Sequence, residues 1–123
     1  KVELIVLAGF MRILSPLFIK KYKNKILNIH PSLLPSFPGA NAHKDALRYG
    51  AKISGCTVHL VDENVDSGPI IMQASVEINE NETEETLSEK ILFHEHKLLP
   101  KALQLMCSNR LIIEGRQVII NAD

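Results

Sequence analysis

The chain has no tryptophan and few aromatic residues, and its 14 lysines and arginines are balanced by 14 aspartates and glutamates. A protein without net charge creates no general field that attracts nucleic acid or an anionic membrane. Its two cysteines lack the spacing of zinc or redox motifs. Neither a signal peptide nor a long apolar span is present. These absences favour a reduced, cytoplasmic protein that binds neither nucleic acid nor membrane.

The length of 123 residues and the hydrophobic content of 46% are enough for one cored domain and too little for two. Residues 2–8 are already an apolar run, of the kind found in a central strand that is covered on both faces. A domain rarely begins in the centre of its own sheet. We therefore expect residues 1–123 to be a single-domain fragment, the central and C-terminal part of a larger domain.

Hydrophobic periodicity and turn residues predict alternating strands and helices. Strands are expected over residues 2–8, 26–30, 57–61 and 70–78, with a terminal hairpin of 110–113 and 117–120. Helices are expected over 15–22, over 42–49 with Asn41 as cap and Gly50 as terminator, and from about 83, where Pro100 should kink the helix or start a second segment. The expected fold is α/β, with three layers and a mostly parallel, mixed sheet flanked by helices.

Asn28 and His30 are the residues of greatest chemical interest. Side chains alternate along a strand, so these two point to the same side of the strand 26–30. Pro31 ends that strand and places both polar groups at its carboxyl end, where ligands bind in open α/β sheets. Asp66 lies in a turn bounded by Gly68 and Pro69. We expect Asp66 to orient His30, directly or through a water molecule.

An amide, an imidazole and a carboxylate are the groups needed to transfer an acyl unit to an amine without a metal or a covalent intermediate. No serine or cysteine lies in a nucleophile-elbow sequence, so direct attack by the amine is simpler than a covalent route. The pattern Asn-x-His alone is weak evidence, because a histidine at a strand end is usually structural. Only its combination with Asp66 favours catalysis.

The remaining histidines do not predict a metal site. His94 and His96 are two residues apart on a helix, so they face different directions and cannot bind one metal ion. His43 fits either a place near the site or a surface role at a helix start. His59 is expected to be a core histidine rather than a ligand.

Three blocks of the sequence carry a family resemblance. Residues 8–15 (AGFMRILS), 27–35 (LNIHPSLLP) and 65–71 (VDSGPII) have the order and spacing seen in folate-dependent formyltransferases. Residues 36–43 (SFPGANAH) and 94–97 (HEHK) look like the branch of that family that formylates glycinamide ribonucleotide. The resemblance extends over nearly the whole chain, so it is far more specific than any single motif.

The resemblance implies roles for named residues. Asn28, His30 and Asp66 match the catalytic residues of the family. Met11 and Glu95 match positions that contact glycinamide ribonucleotide, through a backbone carbonyl and the ribose hydroxyls respectively. The co-substrate 10-formyltetrahydrofolate would be held by three groups of residues: the backbone of Arg12, Ile13 and Leu14, an apolar pocket of Leu7, Phe18 and Ile26, and a loop of Asp62, Glu63, Asn64 and Val65.

The expected reaction is therefore formyl transfer from 10-formyltetrahydrofolate to the amine of glycinamide ribonucleotide in purine biosynthesis, with small molecules as partners. Alternatives are a formyltetrahydrofolate hydrolase, another folate-dependent formyltransferase, or an inactive fragment. Relatives that act on methionyl-tRNA usually carry a more basic stretch at this place, so the uncharged residues 36–38 argue against that substrate. The fragment alternative arises because the family's Gly-rich phosphate-binding loop has no counterpart in residues 1–123, so the nucleotide-binding half is expected to be missing. The sequence leaves open whether the protein forms a homodimer.

Overall fold

The computed structural model describes residues 5–8, 23–64 and 66–121. The elements follow in the order β1 (Ile5–Ala8), β2 (Ile26–His30), α1 (Ala42–Tyr49), β3 (Ile53–Leu60), β4 (Ile70–Glu77), α2 (Glu84–Cys107), β5 (Leu111–Glu114) and β6 (Gln117–Ile120). The helix predicted over 15–22 lies outside the described residues. Within the described ranges, no helix combines the length and apolar character needed to span a membrane.

Four of the strands form one sheet in the order β1-β2-β3-β4. Strand β1 pairs with β2 in parallel, whereas β2 with β3 and β3 with β4 are antiparallel. The sheet is mixed, as predicted, but antiparallel pairs outnumber the parallel pair among these strands. The connection 61–69 between β3 and β4 is too short for the crossover that a parallel pair requires.

Strand β2 is buried on both faces. Leu27 and Ile29 belong to a hydrophobic core that also contains Ala102 of α2. Asn28 and His30 alternate with them and therefore point to the opposite face of the sheet. This alternation separates the hydrophobic core under α2 from a polar face.

Helix α2 begins with a reciprocal cap, in which Thr83 Oγ1 accepts from Thr86 N at 3.1 Å and Thr86 Oγ1 accepts from Thr83 N at 2.9 Å. Leu87 and Ile91 on its inner face are buried against the sheet. Pro100 lies inside a single helix. The alternative in which Pro100 starts a second segment is therefore wrong.

Helix α1 ends as the sequence predicts, because Gly50 adopts a φ of +86° and its N–H donates to the Leu47 carbonyl at 3.2 Å. The predicted cap at its other end is wrong. Asn41 makes no side-chain capping hydrogen bond, since its backbone (φ −121°, ψ 43°) is outside the extended conformation that directs a cap side chain to the first turn. The terminal hairpin of β5 and β6 is confirmed.

Candidate active site

His30 and Asp66 come together although they lie on separate elements. His30 is the last residue of β2, and Asp66 lies in the loop between β3 and β4 (residues 61–69). His30 Nδ1 is 3.5 Å from Asp66 Oδ1, and the two side chains are only 2% and 8% exposed. The structure thus brings together the imidazole and the carboxylate that the sequence singled out.

Both ring nitrogens of His30 face acceptor oxygens. Nδ1 faces Asp66, and Nε2 donates to the Phe37 carbonyl at 3.0 Å. A neutral imidazole has one N–H, whereas an imidazolium has two. The ring is therefore held between the Phe37 carbonyl and the Asp66 carboxylate.

Asp66 is fixed by its backbone and by the loop between β2 and α1 (residues 31–41). It has a φ of +51°, a conformation that aspartate and asparagine adopt more readily than most residues. Its Oδ2 accepts from Gly39 N at 2.8 Å, which leaves Oδ1 directed at His30. Gly68 lets this loop approach β3, because a Cβ at that position would lie 1.7 Å from the Leu60 carbonyl oxygen.

Two polar atoms on the same face lack a hydrogen-bond partner among the described residues: Asn28 Oδ1 and His59 Nε2. Asn28 and His59 are register partners across β2 and β3. His59 Nδ1 is 3.0 Å from the Leu60 carbonyl, so it acts as the donor, and Nε2 lies 3.9 Å from Asp66 Oδ1. Buried polar atoms are nearly always paired in native proteins, so this pair marks a place for a ligand or a water molecule.

His59 is as buried as predicted, at 2% exposure, but its position beside Asp66 was not predicted. Burial lowers the pKa of His59, opposed by the hydrogen bond to the Leu60 carbonyl and by the charge of Asp66. Burial therefore favours the neutral form of His59, in which Nδ1 donates to the Leu60 carbonyl and Nε2 is an acceptor. Its register opposite Asn28 is the feature that could have revealed it.

Glu95 and His43 line a neighbouring cavity of about 220 Å³ beyond the carboxyl end of β2. Burial raises the pKa of Glu95, opposed by His96. Burial also lowers the pKa of His43, opposed by Glu84. Ile29 and Pro31, the neighbours of His30 in the chain, also line this cavity, whereas Asn28, His30 and Asp66 do not. His43 is half-buried in the cavity wall, which favours the predicted place near the site over a surface role at the helix start.

The residues predicted to hold the folate are partly described. Ile26 is fully buried on the same face of β2 as Asn28, and Leu7 of β1 is the register partner of Asn28. Asp62 Oδ1 accepts from Asn64 N at 2.9 Å and from Ser67 Oγ at 3.1 Å, which closes the loop on itself. Asp62, Glu63 and Asn64 line a cavity of about 620 Å³. Met11, Arg12, Ile13, Leu14, Phe18 and Val65 lie outside the described residues.

Cys56 is not an activated nucleophile. Burial, together with the charge of Glu95, raises the pKa of Cys56 to about 11, so its thiolate is scarce at neutral pH. Cys107 is exposed at the end of α2, away from the polar face. Within the described ranges, no three His, Cys, Asp or Glu side chains are grouped so as to hold a metal ion.

Comparison with known proteins adds independent evidence. Residues 1–103 match the family described as formyl transferase. The chain is 61% identical over 107 residues to the trifunctional purine biosynthetic protein adenosine-3 of Gallus gallus, covering 87% of this chain and 11% of that protein. It is 50% identical over 104 residues to the phosphoribosylglycinamide formyltransferase of Bacillus subtilis, covering 85% and 53%.

The structural comparison agrees with the sequence comparisons. The crystal structure of glycinamide ribonucleotide transformylase 1 from Symbiobacterium toebii superposes with a TM-score of 0.94 at 50% identity, covering 97% of this chain and 56% of that one. The predicted α/β formyltransferase-like fold is thereby confirmed. The chain spans about half the length of its bacterial relatives and about a tenth of the trifunctional protein. This chain belongs to the formyl transferase family.

Proposed function

We propose that this chain carries the catalytic centre for formyl transfer from 10-formyltetrahydrofolate to the amine of glycinamide ribonucleotide, in cytoplasmic purine biosynthesis. The observation that carries the proposal is the buried His30–Asp66 pair on the same sheet face as Asn28, whose Oδ1 has no hydrogen-bond partner among the described residues. The family membership supports the formyl group, and the similarity to phosphoribosylglycinamide formyltransferases supports the amine acceptor.

Asn28 is proposed to act on the reacting carbonyl. Its amide N–H can donate to the formyl oxygen as negative charge develops there, an effect worth roughly 10²–10³-fold in rate. Its unpaired Oδ1 can accept a hydrogen bond from the attacking amine. The side chain is 8% exposed, so these interactions would occur with little competition from water.

His30 and Asp66 are proposed to manage the protons. The amine must lose a proton as it attacks, and the leaving nitrogen must gain one. His30, held between the Phe37 carbonyl and Asp66, would keep positive charge beside the reacting carbonyl. Asp66 would stabilise that charge and relay a proton, with neutral His59 as a neighbouring acceptor.

The binding assignments are proposals of the same kind. The ribose hydroxyls would bind Glu95, in the cavity that it shares with His43, and the Met11 carbonyl would contact the same nucleotide. The apolar pocket for the pterin would include the fully buried Ile26. The rest of the proposed folate site is Leu7, Phe18, the backbone of Arg12, Ile13 and Leu14, and the loop residues Asp62, Glu63, Asn64 and Val65.

We also propose that residues 1–123 form the central and C-terminal part of a larger formyltransferase domain. The chain spans 53% of the Bacillus subtilis relative, which supports this reading. The phosphate of the ribonucleotide would then be bound by a segment outside these residues. Small molecules are the proposed partners, and a homodimer stays a prediction.

The test is formyl transfer by the chain alone and by the chain completed with the portion of the Bacillus subtilis relative that it does not match. The completed protein should transfer the formyl group, and His30→Ala should lower its turnover by roughly 10²–10⁴-fold. His94→Ala, which alters a histidine whose ring contacts Phe93 on α2, is the matched control. A His30→Ala rate within a few-fold of the wild type would contradict the assignment. Release of formate without an amine acceptor would identify the hydrolase alternative instead.

A further inference from the structure

We infer that Gln73 is a positioning residue for this reaction, an inference that rests on the proposed function. Gln73 lies on β4, at the outer end of the described sheet. Its register partner on β3 is Thr57, and the register partner of Thr57 on β2 is His30. The three side chains therefore form one lateral row on the polar face of the sheet.

The amide of Gln73 completes a hydrogen-bond network around Thr57. Gln73 Nε2 donates to the Leu34 carbonyl at 3.0 Å and to Thr57 Oγ1 at 3.0 Å. Thr57 Oγ1 donates to the Ser32 carbonyl at 2.7 Å and accepts from Leu34 N at 3.1 Å. Thr57 is fully buried, so its hydroxyl depends on these partners. Together they tie the start of the β2–α1 loop to the sheet.

The same loop holds both members of the catalytic pair. Its Phe37 carbonyl accepts from His30 Nε2, and its Gly39 N–H donates to Asp66 Oδ2. Within the loop, Ser32 Oγ donates to the Ser36 carbonyl at 2.6 Å, which links the segment tied by Gln73 to the segment that holds the pair. The described hydrogen bonds of Gln73 reach neither His30 nor Asp66, so any effect of Gln73 on them is indirect, through Thr57 and the loop that it holds.

Two variants separate the donor role of Gln73 from its volume. Gln73→Met keeps the length of the side chain and removes both N–H donors without adding charge. Gln73→Glu keeps the shape and places an acceptor oxygen against the Leu34 carbonyl. We expect kcat to fall by about ten- to a hundredfold in both, because a displacement of about 1 Å can cost that much. KM should stay within a few-fold for both substrates, since Gln73 lines neither proposed substrate cavity.

Amide hydrogen exchange gives a readout that a merely stabilising role would not move. Release of the loop should speed exchange at Gly39 about tenfold, which corresponds to one lost hydrogen bond. The amides of β3 should keep their protection from exchange, because the free energy of global unfolding should not change. A role in stability alone would instead speed β3 and Gly39 together, and would overturn the inference.

Gln117→Glu on β6 makes the same chemical change on another strand and should leave kcat and Gly39 exchange as in the wild type. If Gln73→Met matches the wild type in both measurements, Gln73 does not position the loop. If the completed wild-type protein transfers no formyl group, the proposed function fails. In that case Gly39 exchange still decides whether Gln73 holds the loop against Asp66.

Discussion

The carboxylate of Asp66 is the feature whose chemical role can be tested with least disturbance to the fold. Asp66→Asn keeps the side-chain shape and removes the negative charge. Asparagine tolerates the φ of +51° at this position as well as aspartate does. Its amide oxygen can still accept from Gly39 N, which is 2.8 Å from Oδ2. The loop should therefore keep its place while His30 loses its charge partner.

The size of the effect follows from the distance. Two unit charges 3.5 Å apart, the separation of His30 Nδ1 from Asp66 Oδ1, interact by about 5 kcal/mol at an effective dielectric constant of about 20. The carboxylate charge is shared by two oxygens and Oδ2 is directed at Gly39, so about half of that energy acts on His30. A loss of about 2–3 kcal/mol in the transition state lowers the rate by roughly a hundredfold.

The assay is steady-state kcat and KM for both substrates, with thermal unfolding measured on the same samples. We expect kcat to fall by about a hundredfold, KM to change little, and the unfolding midpoint to stay close to that of the wild type. Asp45→Asn, in the first turn of α1, is the control for loss of an aspartate charge outside the site. A kcat within a few-fold of the wild type would refute the reasoning, and a large drop in the unfolding midpoint would assign Asp66 a structural role.

Three further predictions use other parts of the chain. Glu95→Gln should raise KM for the ribonucleotide with little change in kcat. Burial raises the pKa of Glu95, so as pH falls the KM of the wild type should begin to rise at a higher pH than an ordinary carboxyl group would give, and the variant should lack that rise. Leu87→Ala should lower the free energy of unfolding by about 2–5 kcal/mol in urea titrations, since the side chain is fully buried, and a loss below about 1 kcal/mol would contradict the described packing. Hydrogen bonds from Lys90, the Thr86 hydroxyl and Asn79 N lower the pKa of Glu82 from 4.5 to about 2, so the stabilisation that they give should be present above pH 4.5 and lost as pH falls through about 2. Thermal melts of Glu82→Gln across that window should lack this loss.

Strand β2 shows how far local pattern determines the fold. Its bounds are the same in the sequence analysis and in the structure, because apolar residues surround Asn28 and Pro31 cannot continue the ladder. Strand β3 begins four residues earlier than predicted, at Ile53. Gly55 concealed that start, since glycine weakens a strand. The structure gives the reason for this glycine, because a Cβ there would lie 2.0 Å from the Ala74 carbonyl oxygen of β4.

The candidate site, too, could be predicted only in part from the sequence. Side-chain chemistry and the motif blocks singled out His30 and Asp66, which the structure places 3.5 Å apart. The contacts that hold this pair come from the Phe37 carbonyl and the Gly39 N–H. Every residue except proline carries both of these backbone groups, so the residue type does not predict which of them will contact His30 or Asp66. They are defined by the path of the loop, which depends on tertiary packing that the sequence pattern does not contain.

The polar face of the sheet is costly for a chain that needs only a stable core. An unpaired buried polar group costs about 1–3 kcal/mol, and apolar residues of similar shape would remove that cost. Among the described residues, two of the three unpaired buried side-chain atoms, Asn28 Oδ1 and His59 Nε2, lie on this face beside Asp66. On the opposite face of β2, Leu27 and Ile29 pack into the hydrophobic core under α2. Because these unpaired atoms lower the stability of the fold, we expect a ligand or a water molecule to pair with them.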